Sequence, residues 1–242
     1  MKRKSEQTLG KYLATAQNLA NTLAGFSNFK SPAADVTLEQ LNQIITDIDK
    51  INAVAAAKKS IWSLTIEERQ KIFDKEKDSV KSLLRPIRLA VRAQYGTNSK
   101  HATDVSGHVK NMRPRSVMKK TGATSANATA VEESTGISRS HRSKGSITKS
   151  FSDLVSAIAQ FTPAFEPGNE AISMQSLLVK HQQLVTVSDK LNSNYAEWKT
   201  AMNRRNEQYS KLKDCFIRLK NAVDSQYGKD STEYSLIKHL AI

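Results

Sequence analysis

A single cysteine, Cys215, stands in the 242 residues, which excludes an intramolecular disulfide and a cysteine-based metal cluster. Its neighbours at helical spacing, Leu212, Phe216 and Leu219, predict a buried, inert thiol rather than a nucleophile. Glycine (9) and proline (5) are scarce. That scarcity, beside abundant Ala, Leu, Lys, Gln and Glu, argues for helices and against a turn-rich β fold. Aromatic residues are only 6% of the chain and fall mostly on apolar faces, as at Tyr12, Phe151, Phe161 and Phe216. Stacking platforms for single-stranded nucleic acid are therefore not supported. No apolar run reaches the roughly 18 residues of a membrane span, and Lys2-Arg3-Lys4 leads into Ser5-Glu6-Gln7 rather than an apolar stretch. Neither a span nor a signal peptide is expected, and a cytoplasmic location follows.

Catalytic constellations are missing as well. No Glu has a His three residues later, and there is no His-Glu-x-x-His, Gly-x-Gly-x-x-Gly, Walker loop or Gly-x-Ser-x-Gly. His101 and His108 are seven apart and share a helix face, without an acidic partner at ligand spacing. His141, His181 and His239 form no readable nucleophile–base pair. The carboxylates Glu67, Glu68, Asp74, Glu76 and Asp78 alternate with Arg69, Lys71, Lys75 and Lys77, the pattern of a solvated, ion-paired helix face. The expectation is a non-enzyme with no cofactor, no metal and no evident small-molecule substrate.

What is present is repetition. Gln94-Tyr95-Gly96 recurs as Gln226-Tyr227-Gly228, each closing a helical stretch and preceding a polar turn and a short amphipathic tail. The two tryptophans, Trp62 and Trp198, are separated by 136 positions, as are Arg69 and Arg205, and Phe73 and Tyr209. The triplets are separated by 132, which places an extra helical turn in the first copy near Pro86. Asp49-Lys50-Ile51-Asn52 and Asp189-Lys190-Leu191-Asn192 need 140, so the register between the copies stays open. The tryptophans are expected at equivalent core or interface positions.

Apolar periodicity outlines the helices. Leu9, Tyr12, Leu13, Ala16, Leu19, Ala20 and Leu23 put one stripe on a helix over about 8–26. Thr37 with Gln40 forms a capping box for a helix through Ile44, Ile45, Ile48 and Ile51 toward Trp62. Thr65 with Glu68 predicts a turn near Ser63 and a third helix over 66–95 that kinks or breaks at Pro86. Gly96 fits a C-terminal cap, and Ser99 a cap for a last helix to Met112. The second copy repeats the order: a helix over 147–161, a connection at Pro163 and Pro167, and a helix capped by Ser173. A long stretch with a break near Asn192–Asn194 follows, and then a tail starting at Ser231.

Charge is uneven. The net +14 comes from 37 Lys and Arg against 23 Asp and Glu. Residues 1–112 carry +7, residues 113–146 carry +5 in far fewer positions, and residues 147–242 only +2. The middle segment is rich in Ser, Thr, Ala and Gly and reads as a basic linker. The excess suggests an acidic partner. Lys77, Lys81, Arg85, Arg88 and Arg92 follow helical spacing beside Val80, Leu84, Ile87 and Val91. Such a stripe either tracks phosphates or snorkels beside a packed seam. The candidate nucleic-acid or anion contacts are these five with Arg113, Arg115, Lys119, Lys120, Arg139, Arg142 and Lys144.

The Arg3-Lys4-Ser5-Glu6 start, both Gln-Tyr-Gly turns, Asn111-Met112-Arg113 and Ser231-Thr232-Glu233-Tyr234 resemble a family of uncharacterised bacterial proteins built as two tandem copies of a helical module. The resemblance implies duplication and carries no activity with it. The expectation is an all-α protein of two homologous helical bundles, 1–112 and 147–242, joined by the basic linker 113–146. Each bundle would have three long helices and a short last one. Such a protein suits self-association or scaffolding, with itself or another protein as partner. Sequence-independent nucleic-acid binding is the alternative.

Overall fold

A computed structural model describes residues 6–112 and 144–242. Their regular elements are all helical, with no β-strand among the described residues: α1 (Glu6–Ala24), α2 (Leu38–Gln70), a π-helical turn (Lys71–Lys75), α3 (Val80–Tyr95), α4 (Lys100–Met112), α5 (Lys144–Ala159), a 3-10 turn (Glu170–Ile172), α6 (Met174–Tyr227) and α7 (Thr232–Ile237).

The helix ends follow from local chemistry. The Gln40 N–H donates to Thr37 Oγ1 at 3.0 Å, Ala102 N–H to Ser99 Oγ at 3.1 Å, Ser176 N–H to Ser173 Oγ at 3.2 Å and Tyr234 N–H to Ser231 Oγ at 3.0 Å. Each bond satisfies an amide that the first helical turn leaves without a partner. Gly96 (φ 92°) and Gly228 (φ 85°) stop α3 and α6 in backbone that L side chains avoid. In both turns a serine hydroxyl then donates back to the glycine carbonyl, Ser99 at 2.9 Å and Ser231 at 2.7 Å.

Four sequence expectations need correction. No turn falls at Ser63: α2 runs unbroken to Gln70, and Thr65 is buried (2% exposed) inside it instead of capping a new helix. No break falls at Asn192–Asn194, because α6 is continuous over 54 residues. Packing along a helix overrides an isolated capping signal, since most helical stability in proteins comes from the buried face. α3 also continues through Pro86, with Leu84, Ile87 and Val91 buried around it. The interruption lies earlier, in the π-turn and residues 76–79. Finally, α5 starts at Lys144, so 144–146 are helical and not linker.

Two compact units form, and neither matches the boundaries 1–112 and 147–242. Unit 1 takes Met1–Ser63 and Ser193–Ile242, and unit 2 takes Leu64–Asn192. Both α2 and α6 contribute to each, so each unit draws helices from both halves of the chain. In unit 1, Leu19, Leu23, Leu41, Ile45 and Ile48 from α1 and α2 share a core with Tyr209, Leu212, Phe216, Leu219 and Val223 from α6 and Ile237 from α7. Cys215 lies in this core, and burial pushes its thiol pKa up, as expected for an inert group. In unit 2, Phe73, Val80, Leu84, Ile87, Val91, Val105 and Val109 meet Phe151, Leu154, Ile158, Leu177 and Leu184. Here α4 packs on both α3 and α5.

The Gln-Tyr-Gly triplets tie these cores shut in the same way. In unit 2, Gln94 Nε2 donates to the Ala164 carbonyl at 2.6 Å, Glu166 N–H donates to Gln94 Oε1 at 3.0 Å, and Tyr95 OH donates to the Pro163 carbonyl at 2.7 Å. In unit 1, Gln226 Nε2 donates to the Asn28 carbonyl at 2.7 Å, Lys30 N–H donates to Gln226 Oε1 at 3.0 Å, and Tyr227 OH donates to the Ser27 carbonyl at 2.9 Å. Tyr95 meets Phe161 edge-on at 5.4 Å, and Tyr227 meets Phe26 edge-on at 5.9 Å. Each half of the chain thus clasps the interhelical loop of the other half.

The glycines give a test with two signs. A Cβ at Gly10, Gly96 or Gly228 would meet nothing within 4 Å, so backbone alone decides the outcome. Gly10→Ala, inside α1, is expected to raise stability by about 0.5–1 kcal/mol. Gly96→Ala and Gly228→Ala are expected to lower it by about 1–3 kcal/mol. Urea midpoints of the three variants check this.

Candidate functional site

The predicted basic stripe falls in unit 2. Lys77 is not part of it, because it lies in the turn before α3 rather than on a helix. Lys81, Arg85, Arg88 and Arg92 are on α3 and, at 100° per residue, share a sector of about 60°. That sector borders the buried face of Val80, Leu84, Ile87 and Val91. Lys81 and Arg85 are exposed, while Arg88 and Arg92 are half-buried with their Nε atoms enclosed and without an acceptor among the described residues. Their stems therefore cover the seam, and only the guanidinium tips reach water. None of the four forms an ion pair with a carboxylate among the described residues. Arg113, Arg115, Lys119, Lys120, Arg139 and Arg142 lie outside the described residues. Lys144 opens α5.

A second feature of unit 2 has no counterpart in the sequence reading. Beside the π-turn, residues of α2 and α6 line an open groove of about 630 Å³. Its floor includes Ile72, Val179 and Val187. Glu68, Glu76 and Asp78 are matched there by Lys71, Lys180 and Lys190. Lys190 Nζ donates to Glu68 Oε2 at 2.9 Å and Lys180 Nζ to Asp78 Oδ2 at 2.7 Å. Lys71 instead approaches Glu67 at 3.9 Å, so the groove carries equal numbers of acidic and basic side chains, two of the bases bonded to its own carboxylates. Lys180 is the buried member of its pair (side chain 11% exposed), against 61% for Asp78. The hydrogen bond from Lys180 holds the Asp78 carboxyl below the usual carboxylate range.

Unit 1 holds the third feature, an aromatic cluster. Trp62 on α2 and Trp198 on α6 stack face to face, with centroids 4.8 Å apart and planes 7° from parallel. Tyr195 lies 5.6 Å from Trp62 and 5.8 Å from Trp198. The sequence placed the tryptophans at equivalent positions but gave no sign that they touch each other. Beside them, Lys58 donates to Glu197 at 2.6 Å and Asn52 Nδ2 to Tyr209 OH at 3.2 Å. These contacts run in opposite chain directions, so α2 and α6 pair antiparallel there.

The His101 ring lies 4.3 Å from Phe161 and 4.8 Å from Tyr95, as part of the clasp. Among the described residues no group of three His, Cys, Asp or Glu could hold a metal ion, and no helix is long and apolar enough to cross a membrane. No protein-family model, curated protein or solved structure matches the chain.

The Asp78–Lys180 pair predicts an asymmetry. Asp78→Ala strands a buried ammonium and is expected to cost about 1–2 kcal/mol, whereas Lys180→Met leaves an exposed carboxylate and is expected to be nearly neutral. A lowered carboxyl pKa contributes stability above the unfolded value of about 4 and loses it as pH falls through the folded value. The gap in urea midpoint between wild type and Asp78→Asn should therefore be full at neutral pH and narrow as the pH falls below about 4.

Proposed function

We propose that this is a non-enzymatic interaction protein that self-associates or scaffolds an assembly. The observation that carries this reading is the surface of unit 1 around the tryptophan stack. Val54 (49% exposed) and Ile61 (44%) are seven residues apart on one face of α2, and Tyr195 (42%) stands beside the two tryptophans. Exposed apolar side chains on the helix that carries a half-buried aromatic cluster mark an association surface more readily than a solvated helix face does. The shallow, charge-balanced groove of unit 2 gives no comparable support to a substrate.

Nucleic-acid binding is the second reading, supported by the four α3 cations that lack carboxylate partners among the described residues. Its magnitude counts against α3 acting alone. Four phosphate contacts give a salt slope of about −3.6, well short of the 6–10 contacts of strong non-specific binders. This reading therefore depends on the basic residues of 113–143 as well.

Light scattering on the eluting protein, with absorbance at 260 and 280 nm in low and high salt, tests both. Self-association through apolar surface predicts a mass above 26.9 kDa that persists in high salt and falls in Ile61→Glu. A monomer that carries a 260 nm excess only in low salt would replace it with the second reading. A plain monomer in both salts would defeat the two together.

A further inference from the structure

We infer that residues 6–112 and 144–242 are complementary halves, each unable to complete a core without the other, and that the partner this chain is built to accept is the matching half of a second copy. The argument starts from how the cores are divided. In unit 1 the apolar faces of α1 and of α2 up to Ser63 are covered by α6 from Ser193 onward and by α7. In unit 2 the faces of α3 and α4 are covered by α5 and by α6 up to Asn192. Neither half keeps its own helices together in one unit. A half taken alone would expose Leu19, Leu41 and Ile48, or Phe216, Leu219 and Val223, all fully or almost fully buried in the chain.

The polar contacts obey the same division. Gln94 and Tyr95 bond to Pro163, Ala164 and Glu166, and Gln226 and Tyr227 bond to Ser27, Asn28 and Lys30. The two sets use the same groups in the same order. Trp62 stacks on Trp198, which the sequence repeat makes its counterpart. Reciprocal contacts with a residue meeting its own counterpart are the signature of an isologous interface between two equal partners. Here both partners are in one chain, joined only through residues 113–143. Every contact between the halves would form unchanged if they came from two chains, which is the condition for exchange of elements between copies. The join favours the intrachain partner through an effective concentration on the order of mM. This inference goes beyond the self-association reading, because its interface is the inside of each unit rather than the exposed strip of α2. Either can fail alone.

The test cuts the full chain in its folded state. A protease site inserted within residues 113–143 is cleaved in the native protein, and the products are followed by light scattering and circular dichroism, with the uncut insertion variant as reference. The expected result is co-elution at the mass of the uncut variant, whatever its oligomeric state, with the helical signal retained. Isotopically labelled and unlabelled cut proteins, mixed in denaturant and refolded by dilution, are then expected to show hybrid pairs in statistical proportion by native mass spectrometry. Separation of the pieces, folded or unfolded, would overturn the inference. So would hybrids that never form while the original pairs do.

Discussion

The apolar faces of α1 and α2 in the first half of the chain are covered by α6 and α7 of the second, and those of α3 and α4 by α5 and α6. Burying one large apolar side chain is worth about 1.5–3 kcal/mol, and each core joins many of them from both halves. The ion pairs between the halves are weaker by comparison. Arg218–Asp35 is a fully solvated pair, and Lys58–Glu197 and Lys190–Glu68 have substantially exposed side chains, in the range where a pair contributes about 0–1 kcal/mol. Hydrophobic burial therefore holds the halves together, and polar groups decide where along each helix they meet. The clasps do this most directly, since a tyrosine hydroxyl and both ends of a glutamine amide must all find one short loop.

The difference between the halves is as informative as their likeness. From Lys71 to Ser79 the first half leaves the α-helix through a π-turn and a short bend before α3 begins. The second half runs straight through its counterpart stretch as α6. The groove lined by Ile72, Val179 and Val187 lies at this interruption. Phe73 stays buried within the π-turn, so the change of path leaves that residue in the core.

Much of this was legible in the sequence, because it is local. The stripe of Leu9, Ala16, Leu19 and Leu23, the caps at Thr37, Ser99, Ser173 and Ser231, and the glycine stops at Gly96 and Gly228 depend on residues a few positions apart. The failures are cases where distant packing decided. Thr65 carries a sound capping signal, yet it is buried within a continuous helix. Pro86 removes a backbone donor, yet the apolar residues around it keep α3 whole. Which loop each Gln-Tyr-Gly triplet closes on was not readable, since a triplet that clasps its own half's loop and one that clasps the other half's have the same sequence. Of the candidate site, the alignment of Lys81, Arg85, Arg88 and Arg92 follows from spacing. The burial of the Arg88 and Arg92 stems and the tryptophan stack do not.

The central claim is that each half closes on the other, and the tyrosines of the two triplets report on it directly. Nuclear Overhauser contacts from the Tyr95 and Tyr227 rings in the intact chain would locate their partners. The account predicts contacts from Tyr95 to Phe161 and Pro163, and from Tyr227 to Phe26 and Ser27. Contacts from Tyr95 to Phe26 and Ser27, with Tyr227 against Phe161 and Pro163, would mean that each half folds on itself, and would contradict it.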